Sequence, residues 1–149
     1  MKLHETFVDA DNINFVFEYL PGQDLFWILA NENNLDFSKG NGKSKNTRKD
    51  WVLFYCSEIL CALSALHTRK IIYRDMKPDN VMIDSEGHIK LIDFGFSKLL
   101  EQKTNFRTRT NCGTIGYTAP EVIIGASQGF SFPVDIWSFG IMLAELLSG

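Results

Sequence analysis

Three polar side chains in one short turn could do chemistry together. Residues 71–80 read IIYRDMKPDN, so Asp75, Lys77 and Asn80 follow directly on an apolar run. Pro78 stiffens the turn, because its ring fixes φ. Thirteen residues beyond Asn80 stands Asp93, in IDFG, again directly after an apolar run. The intervening residues, Val81 to Ile92, read as a hairpin with Asp84-Ser85-Glu86-Gly87 at its tip, Gly87 supplying a positive φ. Such a hairpin brings Asn80 and Asp93 side by side at one end of a small sheet. Two oxygen donors and a lysine facing one cleft suit a nucleotide with Mg²⁺, a hard cation that shares a few protein oxygens with substrate phosphates. A lone DFG is a weak signal. D-x-K-x-x-N followed at fixed separation by DFG, and then by Ala119-Pro120-Glu121, is a strong one.

Several elements must position these groups. Asn12–Tyr19 (NINFVFEY) is rich in β-branched and aromatic residues and predicts a strand, broken by Pro21-Gly22. A short helix is expected over Asp24–Ala30, with Asp24 at its positive end. The next stretch, to Lys49, is polar and reads as a linker; its GNGKS segment lacks the glycine a phosphate loop needs, Phe37 standing there, and reads as a solvated loop. A long helix follows from Asp50 to His67, with Val52, Tyr55, Cys56, Ile59, Leu63 and Leu66 in one apolar stripe and Thr47 with Asp50 resembling a capping box. Glu101–Thr114 reads as a long loop. The last helix, from Pro133 to Leu147, is apolar nearly all round, a pattern that predicts burial on every side.

Composition agrees with a folded domain. Of 149 residues, 45% are hydrophobic and 22% charged, and the net charge is −3. A disordered chain or a strongly basic nucleic-acid binder is excluded. The most apolar stretch, Ile136–Leu147, is too short to span a bilayer, and no signal peptide is visible near Met1. Cys56, Cys61 and Cys112 fit no zinc spacing and read as small buried residues of a reducing compartment, so a cytoplasmic location is expected.

The sequence resembles a eukaryotic protein kinase. Tyr73-Arg74-Asp75 stands where that family has H-R-D, with Lys77 and Asn80 in register; Asp93-Phe94-Gly95 matches DFG, Ala119-Pro120-Glu121 matches APE, and Asp135-Ile136-Trp137 opens the large central helix. Tyr73 in place of His, and Cys112-Gly113-Thr114 before APE, resemble the AGC group of Ser/Thr kinases, the cyclic-nucleotide-dependent enzymes in particular. The resemblance implies an incomplete α+β kinase-like fold over residues 1–149. Residues 1–20 would be the last strands of the N-lobe and the hinge, 21–149 the C-lobe through its central helix, and 38–49 a polar insertion.

It also implies roles. Asp75 would orient the substrate hydroxyl and accept its proton, Lys77 would stabilise the transferring phosphoryl group, and Asn80 and Asp93 would hold Mg²⁺ beside ATP. Glu18 and Leu20 would meet adenine from the hinge, with Phe17 behind it and Met82 beneath. Thr110 would be a phosphorylation site paired by Arg74 and Lys98, and Thr114 would contact Asp75 and Lys77. Leu3, Tyr73 and Phe94 would be core residues spanning the lobes, with Gly95, Glu121 and Asp135 as structural positions. Asp24, Asp79 and Glu145 would receive arginines of protein substrates; ordinary surface acids are the open alternative. A regulatory domain or partner outside these residues is also expected.

The sequence departs from the family too. No Gly-rich loop and no strand lysine of the V-A-I-K type occurs in it, and the helices that normally cover the central helix are missing, which would leave an apolar face exposed. Ile115-Gly116 replaces Pro-Glu, removing one acidic substrate contact. Two functions are therefore carried forward: part of an active Ser/Thr kinase, and a non-catalytic kinase-like binding module. The APE segment and the Thr110 loop argue against a small-molecule kinase.

Overall fold

The computed structural model describes residues 1–31, 48–125 and 127–148. The GNGKS segment and Thr47 lie outside them. The first strands, β1 (Leu3–Val8) and β2 (Ile13–Phe17), pair antiparallel, with Val8 opposite Ile13 and Leu3 opposite Phe17. Asp9 closes their turn by accepting from the backbone N–H of Asp11 and Asn12, 3.0 and 2.8 Å away. Asp24, expected at the positive end of a short helix, precedes α1 (Leu25–Ala30) and caps it: its Oδ1 accepts from Trp27 N at 2.7 Å.

Helix α2 (Arg48–Thr68) begins inside the span read as insertion, Arg48 and Lys49 forming its first turn. Its stripe Val52, Cys56, Ile59 and Leu63 is buried. By length and composition α2 could cross a membrane, but here that stripe packs into the core with Met142 and Leu146. Arg48 Nε donates to Leu146 O at 3.0 Å, tying the two helices. Of the cysteines only Cys56 is buried; burial pushes its thiol up to about 11, away from reactive thiolate. Cys61 is exposed, because it faces away from the stripe, and Cys112 is half-buried.

Two further short strand pairs complete the sheet structure of the described residues. β3 (Ile71–Ile72) pairs with β6 (Lys98–Leu99), and β4 (Val81–Ile83) with β5 (Ile89–Leu91), all antiparallel. Gly87 has φ +88° at the hairpin tip. β6 has no sequence signal, since two residues carry no periodicity. The last helices are α3 (Pro120–Ile123) and α4 (Pro133–Ser148).

Two expectations are corrected. Helix α4 buries Val134, Phe139, Met142 and Leu146 but exposes Ile136, Trp137 and Leu147 by about half, because packing among the described residues covers only one side. Of the three residues read as core between the lobes, only Tyr73 is buried among the described residues; Leu3 and Phe94 are 47% and 42% exposed. The architecture is α+β, with a helical core around α2 and α4 and a second apolar cluster of Ile72, Leu100, Ala119, Val122, Phe130 and Val134.

Candidate active site

The site is built on a buried carboxylate, at one of the structural positions that the family resemblance implies. Asp135, in the first turn of α4, is fully buried. It accepts from Tyr73 N at 2.9 Å and Arg74 N at 2.7 Å, and His67 Nε2 lies 2.8 Å from the same carboxylate. These bonds hold Arg74 at φ +71°, a backbone strain that non-glycine residues rarely carry. Tyr73 is fixed on its other side, its hydroxyl donating to Ile92 O and its ring lying edge-on to Phe94 at 5.4 Å. Burial, then the nearby carboxylates, push the Tyr73 phenol far above its ordinary value, so it remains a donor. His67 was assigned nothing from sequence; its partner stands 68 residues away, and no local pattern announces it.

With the backbone fixed, Asp75 projects into a cluster. Its side chain is nearly buried. Thr114 Oγ1 donates to Asp75 Oδ1 at 2.7 Å and accepts from Lys77 Nζ at 3.0 Å, while Lys77 Nζ lies 3.5 Å from Asp75 Oδ2. Asn80 Nδ2 donates to both the carbonyl and Oδ2 of Asp75, at 2.8 and 2.9 Å. The structure thus brings Asp75, Lys77, Asn80 and Thr114 together. Both amide hydrogens of Asn80 are committed to Asp75, which turns its carbonyl oxygen into the group available to a cation.

The β4–β5 hairpin carries this end of the site to Asp93. Ile92 N donates to Asn80 O at 3.0 Å. Asp93 has φ +54°, is exposed, and accepts from Gly95 N at 3.0 Å through Oδ1. One exposed carboxylate and one amide oxygen are hard donors that fit Mg²⁺. Among the described residues no group of three or more His, Cys, Asp or Glu stands together as a metal site.

A cleft of about 410 Å³ is lined by Met1, Phe15, Phe17, Asp93, Phe94 and Gly95, of which Phe17 and Asp93 are among the residues that the resemblance sets beside ATP. Glu18 Oε1 accepts from Lys2 N at 2.6 Å, and Leu20 is half-buried. Met82 lies against the segment leading into α1, pairing with Asp24, while Ile83 N donates to Gln23 O at 3.1 Å. Gly22 permits this approach: a Cβ there would sit 1.9 Å from Ile83 O.

Around Thr110, Arg74 Nη1 donates to the Thr110 carbonyl at 3.2 Å and its Nε to Phe96 O at 2.6 Å. Lys98 Nζ donates to Thr108 Oγ1 at 3.1 Å. Thr110 lines a cleft of about 450 Å³ with Lys98, Arg107 and Arg109, the last two unremarked from sequence. Of the acids read as substrate contacts, Asp79 is exposed beside the cluster, Asp24 is occupied as a helix cap, and Glu145 Oε2 accepts from Tyr117 Oη at 2.5 Å. Burial and the carboxylates of Glu145 and Asp79 raise the Tyr117 phenol well above its usual range. Glu121 sits half-buried in the first turn of α3, where its charge favours the helix terminus.

Comparison with known proteins gives one consistent result. The family model described as "Protein kinase domain" matches residues 1–149. Over all 149 residues the chain is 42% identical to the cAMP-dependent protein kinase catalytic subunit PRKX of Homo sapiens and covers 37% of that protein. It is 40% identical to the cAMP-dependent protein kinase catalytic subunit of Dictyostelium discoideum and 38% identical to the serine/threonine-protein kinase YPK2/YKR2 of Saccharomyces cerevisiae, covering 20% of each.

Proposed function

The chain belongs to the protein kinase domain family, and from that premise we propose that it serves ATP-dependent phosphoryl transfer to Ser or Thr of protein substrates, as part of a larger kinase domain. The chain spans well under half the length of the relatives named above, so the activity of the whole protein is part of the proposal. One observation carries the reading: the Thr114 hydroxyl joins Asp75 to Lys77, linking the loop before APE to the turn that holds both groups.

In this reading Asp75 receives the proton of the substrate hydroxyl as its oxygen bonds to the γ-phosphorus and the bond to the leaving ADP oxygen breaks. Lys77 offsets charge on the transferring group. Mg²⁺, supplied with ATP, would be held by Asn80 and Asp93 and would neutralise phosphate charge. Asp79 and Glu145 favour substrates with basic residues near the acceptor, and phosphorylation of Thr110 would place charge in the cleft of Lys98, Arg107 and Arg109. Three free cysteines agree with a cytoplasmic site of action.

A non-catalytic binding module of the same fold is the alternative reading. Transfer of labelled phosphate from Mg·ATP to a basic Ser-containing peptide separates the two. We expect measurable transfer that falls about 100-fold or more in Asp75→Asn. Absence of transfer with retained peptide binding favours the module.

A further inference from the structure

The β4–β5 hairpin carries the two proposed Mg²⁺ donors at its open end, Asn80 directly before β4 and Asp93 shortly after β5. Strands this short do not fix the place of a two-stranded ribbon, which is marginal in water by itself. Its place is set by what holds it from outside. The outer edge of β4 is held by backbone: Ile83 N donates to Gln23 O at 3.1 Å, and Met82 pairs with Asp24. The outer edge of β5 has no strand beside it among the described residues. A side chain takes that place. Glu58, on α2, accepts from Ile89 N at 2.9 Å through Oε2, and its Oε1 lies 2.5 Å from His88 Nδ1. One carboxylate thus holds two consecutive residues of the hairpin, 31 and 30 positions away in sequence. His88 is fixed in turn, its backbone N–H donating to Asp84 Oδ1 at 3.0 Å and its ring lying 5.9 Å from that of Phe54.

The hold is passed along β5 to the site. Leu91 pairs with Val81, Ile92 N donates to Asn80 O at 3.0 Å, and Ile92 O accepts from the Tyr73 hydroxyl. A shift of β5 at Ile89 therefore moves Asp93 relative to Asn80. The Glu58 side chain is only 23% exposed, and leaving Ile89 N without its acceptor would cost a buried hydrogen bond, so the hairpin does not leave this anchor freely. We propose that Glu58 is a positioning residue for Mg²⁺, holding the β4–β5 hairpin so that Asn80 and Asp93 meet one ion. It acts through Ile89 and His88. The assignment rests on the kinase reading and adds to it a residue of α2 outside the turn and the DFG segment.

The test uses the whole 149-residue chain and ATP carrying a fluorescent ribose label, titrated in excess Mg²⁺ and again in EDTA. The dissociation constant in EDTA divided by that in Mg²⁺ isolates the contribution of the ion, which a general loss of stability does not move. Expected is a ratio about tenfold smaller in Glu58→Leu than in the wild type, and largely retained in Glu58→Gln, whose amide oxygen still accepts from Ile89 N. Ile59→Val, which trims the buried stripe of the same helix, leaves the ratio unchanged. If Glu58→Leu does not fold by circular dichroism, Glu58→Asp is read in its place with the same expectation, its carboxylate being drawn back by one methylene. An unchanged ratio in the variant read, or one that Glu58→Gln does not retain, overturns the assignment and leaves the kinase reading standing. No gain from Mg²⁺ in the wild type overturns both.

Discussion

Thr114 is the residue on which the proposed chemistry converges, since a single hydroxyl donates to Asp75 and accepts from Lys77. Replacing it by Val keeps the shape and removes both bonds. The carboxylate and ammonium, 3.5 Å apart, then lose their shared anchor. We expect Thr114→Val to lower the transfer rate about tenfold while Thr114→Ser retains most of it, measured as kcat on a basic peptide. His88 offers a second test away from the site. Its ring nitrogen meets Glu58 at 2.5 Å; that hydrogen bond, and then the carboxylate charge, raise its pKa above the ordinary 6.5. A histidine raised on folding stabilises fully below its unfolded pKa, and the gain is lost as pH rises through the folded pKa. The melting temperature of the wild type should therefore exceed that of His88→Gln at pH 5.5, with the gap closing by pH 8.5.

At the scale of elements, the helix starts decide which acids are available. Asp24 was read as a substrate contact, yet its carboxylate caps α1 and its backbone pairs with Met82. The two roles separate by substitution. Asp24→Ala should cost about 1 kcal/mol in urea unfolding through loss of the cap. Asp24→Asn preserves the cap, so any weakening of basic-peptide binding in that variant reports the charge alone. The strands show what sequence periodicity reaches. Val81–Ile83 and Ile89–Leu91 were legible because their turn carries Asp84 and Gly87, whereas Lys98–Leu99 was not, since a two-residue strand exists only through its partner β3.

At the scale of the molecule, the half-exposed Ile136, Trp137 and Leu147, with Ile141 at 37%, place an apolar surface on the outer side of α4. Surfaces of this kind drive association. The isolated chain should self-associate at micromolar concentration, and Trp137→Ser with Ile141→Ser should shift it toward the monomer by light scattering. A helix apolar all round specifies that its neighbours be apolar and says nothing of which they are, so the open face of α4 follows from the resemblance and not from its periodicity.

The sequence by itself determined the local parts of this protein: the 71–80 turn, the hairpin to Asp93, the stripe of α2 and Asp24 at the positive end of a short helix. Each depends on residues within a few turns of one another, where spacing dictates geometry. It also determined the family, because the D-x-K-x-x-N, DFG and APE spacings survive in order. Only the tertiary structure decided that Asp135 holds Tyr73, Arg74 and His67 and that Arg107 and Arg109 share the cleft of Thr110; the contact of Thr114 with Asp75 across 39 residues, implied by the resemblance, it shows at 2.7 Å. The contacts of Asp135 join groups distant in sequence, and they are made by packing rather than by pattern.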